Sequence, residues 1–262
     1  MKIFSWNVNS LKTTLNKGFN KGDSNCPFGE FDIVCLQEIK ANDKNIDALM
    51  DRIFFKYKFH SVTHNSRSGV SIFSKVKPRK VILGESINEI FRGRLILLEY
   101  KTFTLINVYA VNSGTGQKSL EKRLLWDSIF FDFIKGLNGN LVVCGDFNVV
   151  ANEIDTYNFK GQRNKVAGVL DIERYNFKRL LEMSHLVNVF RNFYPTERLY
   201  TYFSFLFDSK RYNKGMMLDY FLVSKKILKS VKSIRVLNNS GIYSTTSDHL
   251  PIVMVLGEHD GL

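Results

Sequence analysis

Proline is scarce in this chain of 262 residues, with four in all. There is no Pro-rich or Gly/Ser tract, no low-complexity segment and no repeat of fixed period, so nothing marks a linker. A single domain over residues 1–262 is the expectation. Cysteine is almost as rare: Cys26, Cys35 and Cys144 are the only three. An odd count without CxxC spacing excludes both a disulfide framework and a structural zinc site. Cys35 and Cys144 lie in apolar runs, where cysteine behaves as a small buried hydrophobe. Long apolar runs are missing too, and none approaches the roughly 20 residues that span a bilayer. The first residues, Lys2-Ile3-Phe4-Ser5-Trp6, lack the basic flank and cleavage site of a signal peptide. A cytoplasmic protein is therefore expected, nucleoid-associated in a bacterium or nuclear in a eukaryote, with no membrane partner. Acidic residues are in deficit, 25 against 37 Lys and Arg, for a net charge of +12. That balance suits a nucleic-acid binder. The abundance of Asn, Lys, Ile and Phe equally fits an AT-rich coding composition, so charge alone does not choose. No GxSxG elbow and no GxxxxGK[ST] loop occurs, which excludes the usual serine-hydrolase and P-loop sites.

What is present centres on Leu141-Val142-Val143-Cys144-Gly145-Asp146-Phe147-Asn148-Val149-Val150. A continuous apolar run of this kind reads as a strand buried on both faces. Such a strand has no structural use for Asp146 or Asn148, because an unpaired buried polar group costs roughly 2–7 kcal/mol. Gly145 permits close approach of another backbone or a ligand where the polar groups begin. Taken alone, the segment reads equally as a strand end followed by an Asx-turn.

The same grammar recurs. Ile3 to Asn9 is a strand whose end turns polar, with Asn7 and Asn9 on one face. A soft Gly- and Asn-containing segment runs to about Phe28. Phe31 to Glu38 is a second buried strand, ending in an amide and a carboxylate. Ser68 to Ser74 and Lys80 to Leu83 read as strands. Arg94 to Tyr100 and Phe103 to Tyr109 read as a hairpin around Lys101-Thr102, followed by Asn112. Leu199 to Phe205 is an aromatic strand, and Met217 to Val223 carries Asp219 in its middle. Thr246-Ser247-Asp248-His249-Leu250-Pro251 opens a last strand, Ile252 to Leu256. Helices are expected over about 45–55, 119–135 and 172–184. Ser119 is the N-cap of the second, with Leu124, Leu125, Ile129, Phe130, Phe133 and Ile134 facing inward. Tyr175, Leu180, Leu181 and Met183 face inward on the third.

Five strands thus end in acid or amide groups, and Asp219 adds a buried acid. The arrangement points to two sheets whose strand ends converge on one cleft, with helices outside. Oxygen donors without cysteine suit Mg2+ or Mn2+ rather than zinc. A divalent cation, a carboxylate that positions water, and a histidine with a partner acid make a phosphoester-hydrolysing site.

At these residues the sequence resembles a family. Ser5-Trp6-Asn7-Val8-Asn9, Leu36-Gln37-Glu38-Ile39-Lys40, Gly69 to Lys75, Tyr109 with Asn112, Gly145-Asp146-Phe147-Asn148, Leu218-Asp219-Tyr220 and Ser247-Asp248-His249-Leu250-Pro251-Ile252 follow the motif order of the exonuclease III-type AP endonucleases. These belong to the endonuclease/exonuclease/phosphatase superfamily. The resemblance runs from Lys2 to about Val255. It implies a four-layered α/β sandwich, two mixed β-sheets packed face to face and flanked by helices. It also implies roles. Glu38 binds the metal, with Asn9 and Asp248 in or near its shell. Asn7 orients Asp146, which positions or deprotonates the attacking water, and Asn148 holds that water or a phosphate oxygen. Tyr109 and Asn112 contact the scissile phosphate. His249 donates to it, held in the useful tautomer by Asp219.

The chain departs from the family pattern at several positions. Ser10 stands where Gly is frequent, Ser66-Arg67 replaces Gly-Tyr, and Val111 replaces Pro. Met216 and Met217 stand where Trp and Arg are usual. The box around an extruded sugar would be Tyr202, Met216 and Leu218. The activity implied is cleavage of the phosphodiester 5′ to abasic sites, with 3′–5′ exonuclease trimming, on double-stranded DNA, by a monomer. Backbone contacts are expected among Arg94, Lys118, Lys122, Arg123, Arg163, Lys165, Lys210, Arg211 and Lys214. Two other readings stand beside it: a superfamily phosphodiesterase for RNA or a lipid phosphoester, and a catalytically silent DNA-binding module.

Overall fold

The computed structural model describes residues 1–20, 26–114, 116–205, 208–237 and 241–257. The soft segment before Phe28 therefore lies partly outside the described residues. Twelve strands form two six-stranded mixed sheets among the described residues. The first has the order β11-β12-β1-β2-β4-β3, from Val231–Val236, Ile252–Leu256, Lys2–Asn7, Ile33–Gln37, Val70–Ser74 and Tyr57–Ser61. The second has the order β5-β6-β7-β8-β10-β9, from Lys80–Leu83, Leu95–Glu99, Thr104–Tyr109, Leu141–Asp146, Asp219–Ser224 and Leu186–Asn188. Helices cover the outer faces, so the fold is a four-layered α/β sandwich.

The strand sequences explain the layering. In β1 alternate side chains go to opposite faces. Phe4 and Trp6 join Val34, Leu36 and Phe73 in an outer apolar layer with Phe19, Phe28 and Tyr243. Ile3, Ile33, Cys35 and Ile72 join β6, β7 and β8 in the core between the sheets. Both faces of β1, β2, β4 and β8 are covered, hence their unbroken burial, with the serines of β1 and β4 buried among apolar neighbours.

One polar patch interrupts the core. Gln37 Nε2 donates to Asn107 Oδ1 at 2.7 Å and to Ser5 Oγ at 3.1 Å. Asn107 Nδ2 donates to the carbonyls of Leu36 and Ser71 at 3.0 and 2.9 Å. These bonds pin one sheet to the other directly beneath the strand ends that carry the chemistry.

Gly145 fits its expected use. Its φ is +137°, and a Cβ there would overlap the Val108 carbonyl oxygen and lie 2.9 Å from its carbon. Val108 is its partner in the parallel β7–β8 pair. The close approach is therefore strand to strand.

Several expectations are corrected. Leu199 to Phe205 is not a strand. It threads between two segments, with Thr201 and Tyr202 N–H bonded to Met216 and Phe203 N–H to Asp248, and Tyr202 forms only single bridges to Met216 and His249. The first helix is confined to Ile46–Met50. The second begins at Gln117 behind Gly116, so Ser119 is not its cap. It turns Arg123, Trp126, Phe130, Phe131 and Ile134 inward and leaves Leu125 exposed. On Asp171–Met183, Phe177 and Leu180 are buried while Tyr175 and Met183 face solvent. Strands β3, β9 and β11 had no clear signature. They are sheet edges, and β3 is half-buried at four of its five positions.

Candidate active site

Asp146 closes β8 and Asp219 opens β10, and the two are paired across the sheet. Asp219 therefore stands at a strand end, not in mid-strand. The loop before β12 brings His249 onto both carboxylates. Its Nδ1 lies 2.8 Å from Asp219 Oδ2, and its Nε2 3.8 Å from Asp146 Oδ2. That loop is locked from the other sheet: Trp6 Nε1 donates to the His249 carbonyl at 2.8 Å, and Ser247 Oγ donates to the Asn7 carbonyl at 2.7 Å.

Asn7, at the end of β1, carries the link to the remaining acid. Its Nδ2 donates to Asp146 Oδ2 at 2.8 Å and to Glu38 Oε2 at 3.1 Å. Glu38 follows β2 with φ +54°, and Asn9 and Asn148 are likewise left-handed at φ +55° and +49°. Outside glycine this conformation costs on the order of 1–2 kcal/mol, and it recurs here at strand ends that form one site.

Asn148 is held in place. Its N–H donates to Asp146 Oδ1 at 2.9 Å, its Nδ2 to the Ala110 carbonyl at 3.0 Å, and its Oδ1 accepts from Asn112 Nδ2 at 3.0 Å. The Tyr109 hydroxyl hydrogen-bonds to Glu38.

Charge follows burial. Removal from water raises the Asp146 carboxyl to about 7, despite the opposing pull of His249, Asn7 and the Asn148 amide. Burial pulls the His249 imidazole down, but Asp219 and Asp146 outweigh it and push it up to about 10. Burial, followed by the charges of Glu38 and Asp146, holds the Tyr109 phenol well above its ordinary range, so it stays a donor. A protonatable base, a cationic acid and a phenol donor thus line one pocket of about 310 Å3, with Glu38, Asn112, Asn148, Asp248, Tyr202, Met216 and Leu218 in its walls. A cleft of about 620 Å3 between the helix Asp171–Met183 and β9 is larger. It gathers none of these groups.

Two places offer metal donors. Asp146, Asp219 and His249 bring potential ligand atoms within 4.8 Å of one another. There the imidazole already serves as the cation between the two acids, and its Nδ1 is spent on Asp219. The Glu38 side offers oxygen donors alone. Asn9 Nδ2 donates to Asp248 Oδ1 at 3.2 Å, and the Lys40 ammonium rests 2.9 Å from Glu38 Oε1. A place that seats a cation among oxygen donors fits a hard divalent ion.

Other expected residues fall elsewhere. Arg123 is 2% exposed and cannot reach a phosphate. It bonds Asp127 and the carbonyls of Val111 and Asn148, a structural clamp under the pocket. Arg94 spends its NH1 on the carbonyls of Tyr109 and Ala110 and packs 4.9 Å from the centre of the Tyr109 ring. Arg163 is engaged by Asp171 through both carboxylate oxygens. Lys118, Lys122, Lys165, Arg211 and Lys214 are exposed. Tyr202, Met216 and Leu218 do share one apolar cluster, with Val150, Val166 and Val169. Val166 and Ala167 line the pocket as well. They sit in a loop whose sequence carries no signal for it. Trp6 and Ser247, which fix the histidine loop, lay inside quoted motifs without a role.

The Endonuclease/Exonuclease/phosphatase family model matches residues 4–249. The chain belongs to this family. Within the family it is 36% identical to the DNA-(apurinic or apyrimidinic site) endonuclease of Dictyostelium discoideum, covering 98% of this chain and 70% of that protein. It is 33% identical to an exodeoxyribonuclease of Bacillus subtilis (strain 168), over 98% of this chain and 99% of that one. Among solved structures it is similar to the 3′ phosphatase NExo from Neisseria bound to product DNA hairpin, at a TM-score of 0.87 and 26% identity, covering 98% and 100% of the two chains. The fold, the relatives and the paired acids around one histidine make it an AP endonuclease/exodeoxyribonuclease-like phosphodiesterase.

Proposed function

We propose that the protein is a DNA repair nuclease that hydrolyses the phosphodiester 5′ to abasic sites in double-stranded DNA and trims 3′ ends, with Mg2+ or Mn2+ as cofactor. The observation that carries the reading is the convergence of Glu38, Asp146 and His249 on one pocket, with Asn7 and Asp219 bonded to them from behind, from five chain segments. The chemistry is in-line displacement at phosphorus. Asp146, near neutrality and fixed by Asn7, positions the attacking water and takes its proton. Asn148, held by Asn112 and the Ala110 carbonyl, aligns that water. Protonated His249 donates from Nε2 to the phosphate oxygen where charge builds, and Asp219 holds the ring on its far side. The Tyr109 hydroxyl supplies a second donor to the phosphate. Glu38, with Asn9 and Asp248, would hold the divalent cation, which when bound supplies charge neutralisation at the phosphate. Tyr202, Met216 and Leu218 offer an apolar wall to a baseless sugar, which leaves the helix at low cost because it has no base to unstack. Exposed Lys118 and Lys122 on the helix that begins at Gln117, with Lys165, Arg211 and Lys214 in loops, suit DNA phosphates.

The test is cleavage of a labelled abasic duplex across a Mg2+ titration, with and without EDTA. A defined nick 5′ to the lesion, lost in Asp146→Ala and His249→Ala, is expected. Wild-type rates in either variant would overturn the mechanism. The NExo likeness and Met216 in the pocket wall favour a second reading, in which 3′-end processing dominates over abasic incision. A duplex with a 3′-phosphate, alongside intact DNA, RNA and lipid phosphoesters, separates these outcomes.

A further inference from the structure

Lys40 is placed where its chemistry conflicts with the proposed metal seat. Its Nζ stands 2.9 Å from Glu38 Oε1 and also donates to Asn9 Oδ1. Asn9 passes the contact on to Asp248 Oδ1, while the other Glu38 oxygen is taken by Asn7. One ammonium therefore sits between Glu38 and Asn9, with Asp248 on the other side of the Asn9 amide. The backbone makes the placement deliberate. Glu38 and Lys40 are both left-handed, at φ +54° and +50°, with Ile39 fully buried between them as an anchor. The main chain is fixed, and only the four-carbon stem of Lys40 is free to move. Its side chain is 38% exposed, so an exit to solvent is open.

We propose that Lys40 is an internal counter-ion of the metal-free site, and that the divalent cation binds by displacing its ammonium. Two cations cannot share the same carboxylate oxygen without strong repulsion. Of the two, the compact ammonium is the one with a flexible tether. Before loading, Lys40 offsets the repulsion between Glu38 and the Asp146 and Asp248 carboxylates and keeps Asn9 turned toward the seat. On loading it swings out. Lys40 then sets how readily the site fills: it weakens divalent binding and leaves the seat closed to monovalent ions. The inference rests on the Glu38 seat proposed above.

The experiment measures Mn2+ binding to metal-free protein, from the electron paramagnetic resonance signal of free Mn2+, for wild type, Lys40→Met and Glu38→Gln. A partly exposed ion pair is a modest competitor, so Lys40→Met is expected to bind Mn2+ about two- to fivefold more tightly. Glu38→Gln is expected to weaken binding by about tenfold or more. If Lys40→Met binds no more tightly while Glu38→Gln has lost affinity, the displacement is wrong and the seat stands. If Glu38→Gln binds as wild type does, the seat itself is misplaced and the displacement falls with it. A second readout needs no variant beyond an assignment. The 15N-labelled Lys40 ammonium should give a protected resonance in metal-free protein and move to the free-lysine position on adding Mg2+. A resonance unmoved at saturating Mg2+ overturns the inference.

Discussion

Replacing Asp219 by Asn keeps the shape of the partner of His249 and removes its charge. In the native site the imidazole titrates at about 10, with Asp219 the foremost of the groups that raise it against burial. Without that charge only Asp146 and Asp248 still oppose burial, and the ring should titrate well below 10, toward its ordinary value of about 6.5. In the limit of that ordinary value, at about pH 8 the native ring is ~99% protonated and the variant ring ~3%, a loss of up to roughly thirtyfold in the acid form; at about pH 6 the variant ring is still ~75% protonated. The defect in phosphodiester cleavage should therefore grow with pH, small at pH 6 and large at pH 8. Direct evidence comes from 15N shifts of the His249 ring in metal-free protein. Stability should follow the same ionisation. A group with a raised folded pKa contributes stability that is complete below its unfolded value and lost as pH rises through the folded one. Urea stability of the wild type should fall between about pH 6.5 and 10, and Asp219→Asn should remove most of that fall. A loss of activity equal at every pH, or a His249 resonance still titrating near 10 in the variant, would refute the reasoning.

Other outcomes follow from single contacts. Asp146→Asn should erase the acid limb of the rate profile, which in the wild type rises through about pH 7 as the carboxyl ionises; a limb that persists at the same pH in the residual activity would assign it to another group. Gly145→Ala forces a methyl against the Val108 carbonyl at a positive φ, with a cost of roughly 2–6 kcal/mol; calorimetry that finds an unchanged melting temperature would contradict that packing. Arg123→Met leaves the Asp127 and Glu173 carboxylates buried beside a lost partner. It should lower the melting temperature by about 10 °C, from a loss of roughly 3–5 kcal/mol. The salt dependence of DNA binding should not change, because this guanidinium is no surface charge. A shallower slope on a salt titration would return Arg123 to the DNA contacts.

Central strands were legible because covering both faces leaves a run of apolar residues that nothing else explains. Edge strands were not. Tyr57–Ser61 alternates apolar and polar side chains, but over five residues only and half-buried along most of its length, so the alternation is too short to stand out. Leu199 to Phe205 misled for the opposite reason: its aromatics look like a strand, yet its N–H groups are shared between the Met216 and Asp248 segments. The polar strand ends stood out singly, while their joint meaning came from the order of motifs that the chain shares with its family. Arg123 looks like a surface cation in the sequence because no helical period reveals that its guanidinium lies among two carboxylates and two carbonyls. Val166 and Ala167 were missed because apolar loop residues become a pocket wall only through what stands opposite them.

The amino-acid sequence by itself determined which strands are central, where each turns from apolar to polar, and that Gly145 permits a close backbone approach. These are local matters: alternation, β-branched runs and a missing Cβ act within a few residues of themselves. The tertiary structure alone decided that Asp146 and Asp219 stand side by side, that His249 spans them, and that Asn7 joins Asp146 to Glu38. These residues come from segments far apart in the chain, and the loop that carries His249 is itself fixed by Trp6, 243 positions away. The energies of their contacts depend on burial, which raises the Asp146 carboxyl and opposes the His249 imidazolium that the two neighbouring acids sustain against it.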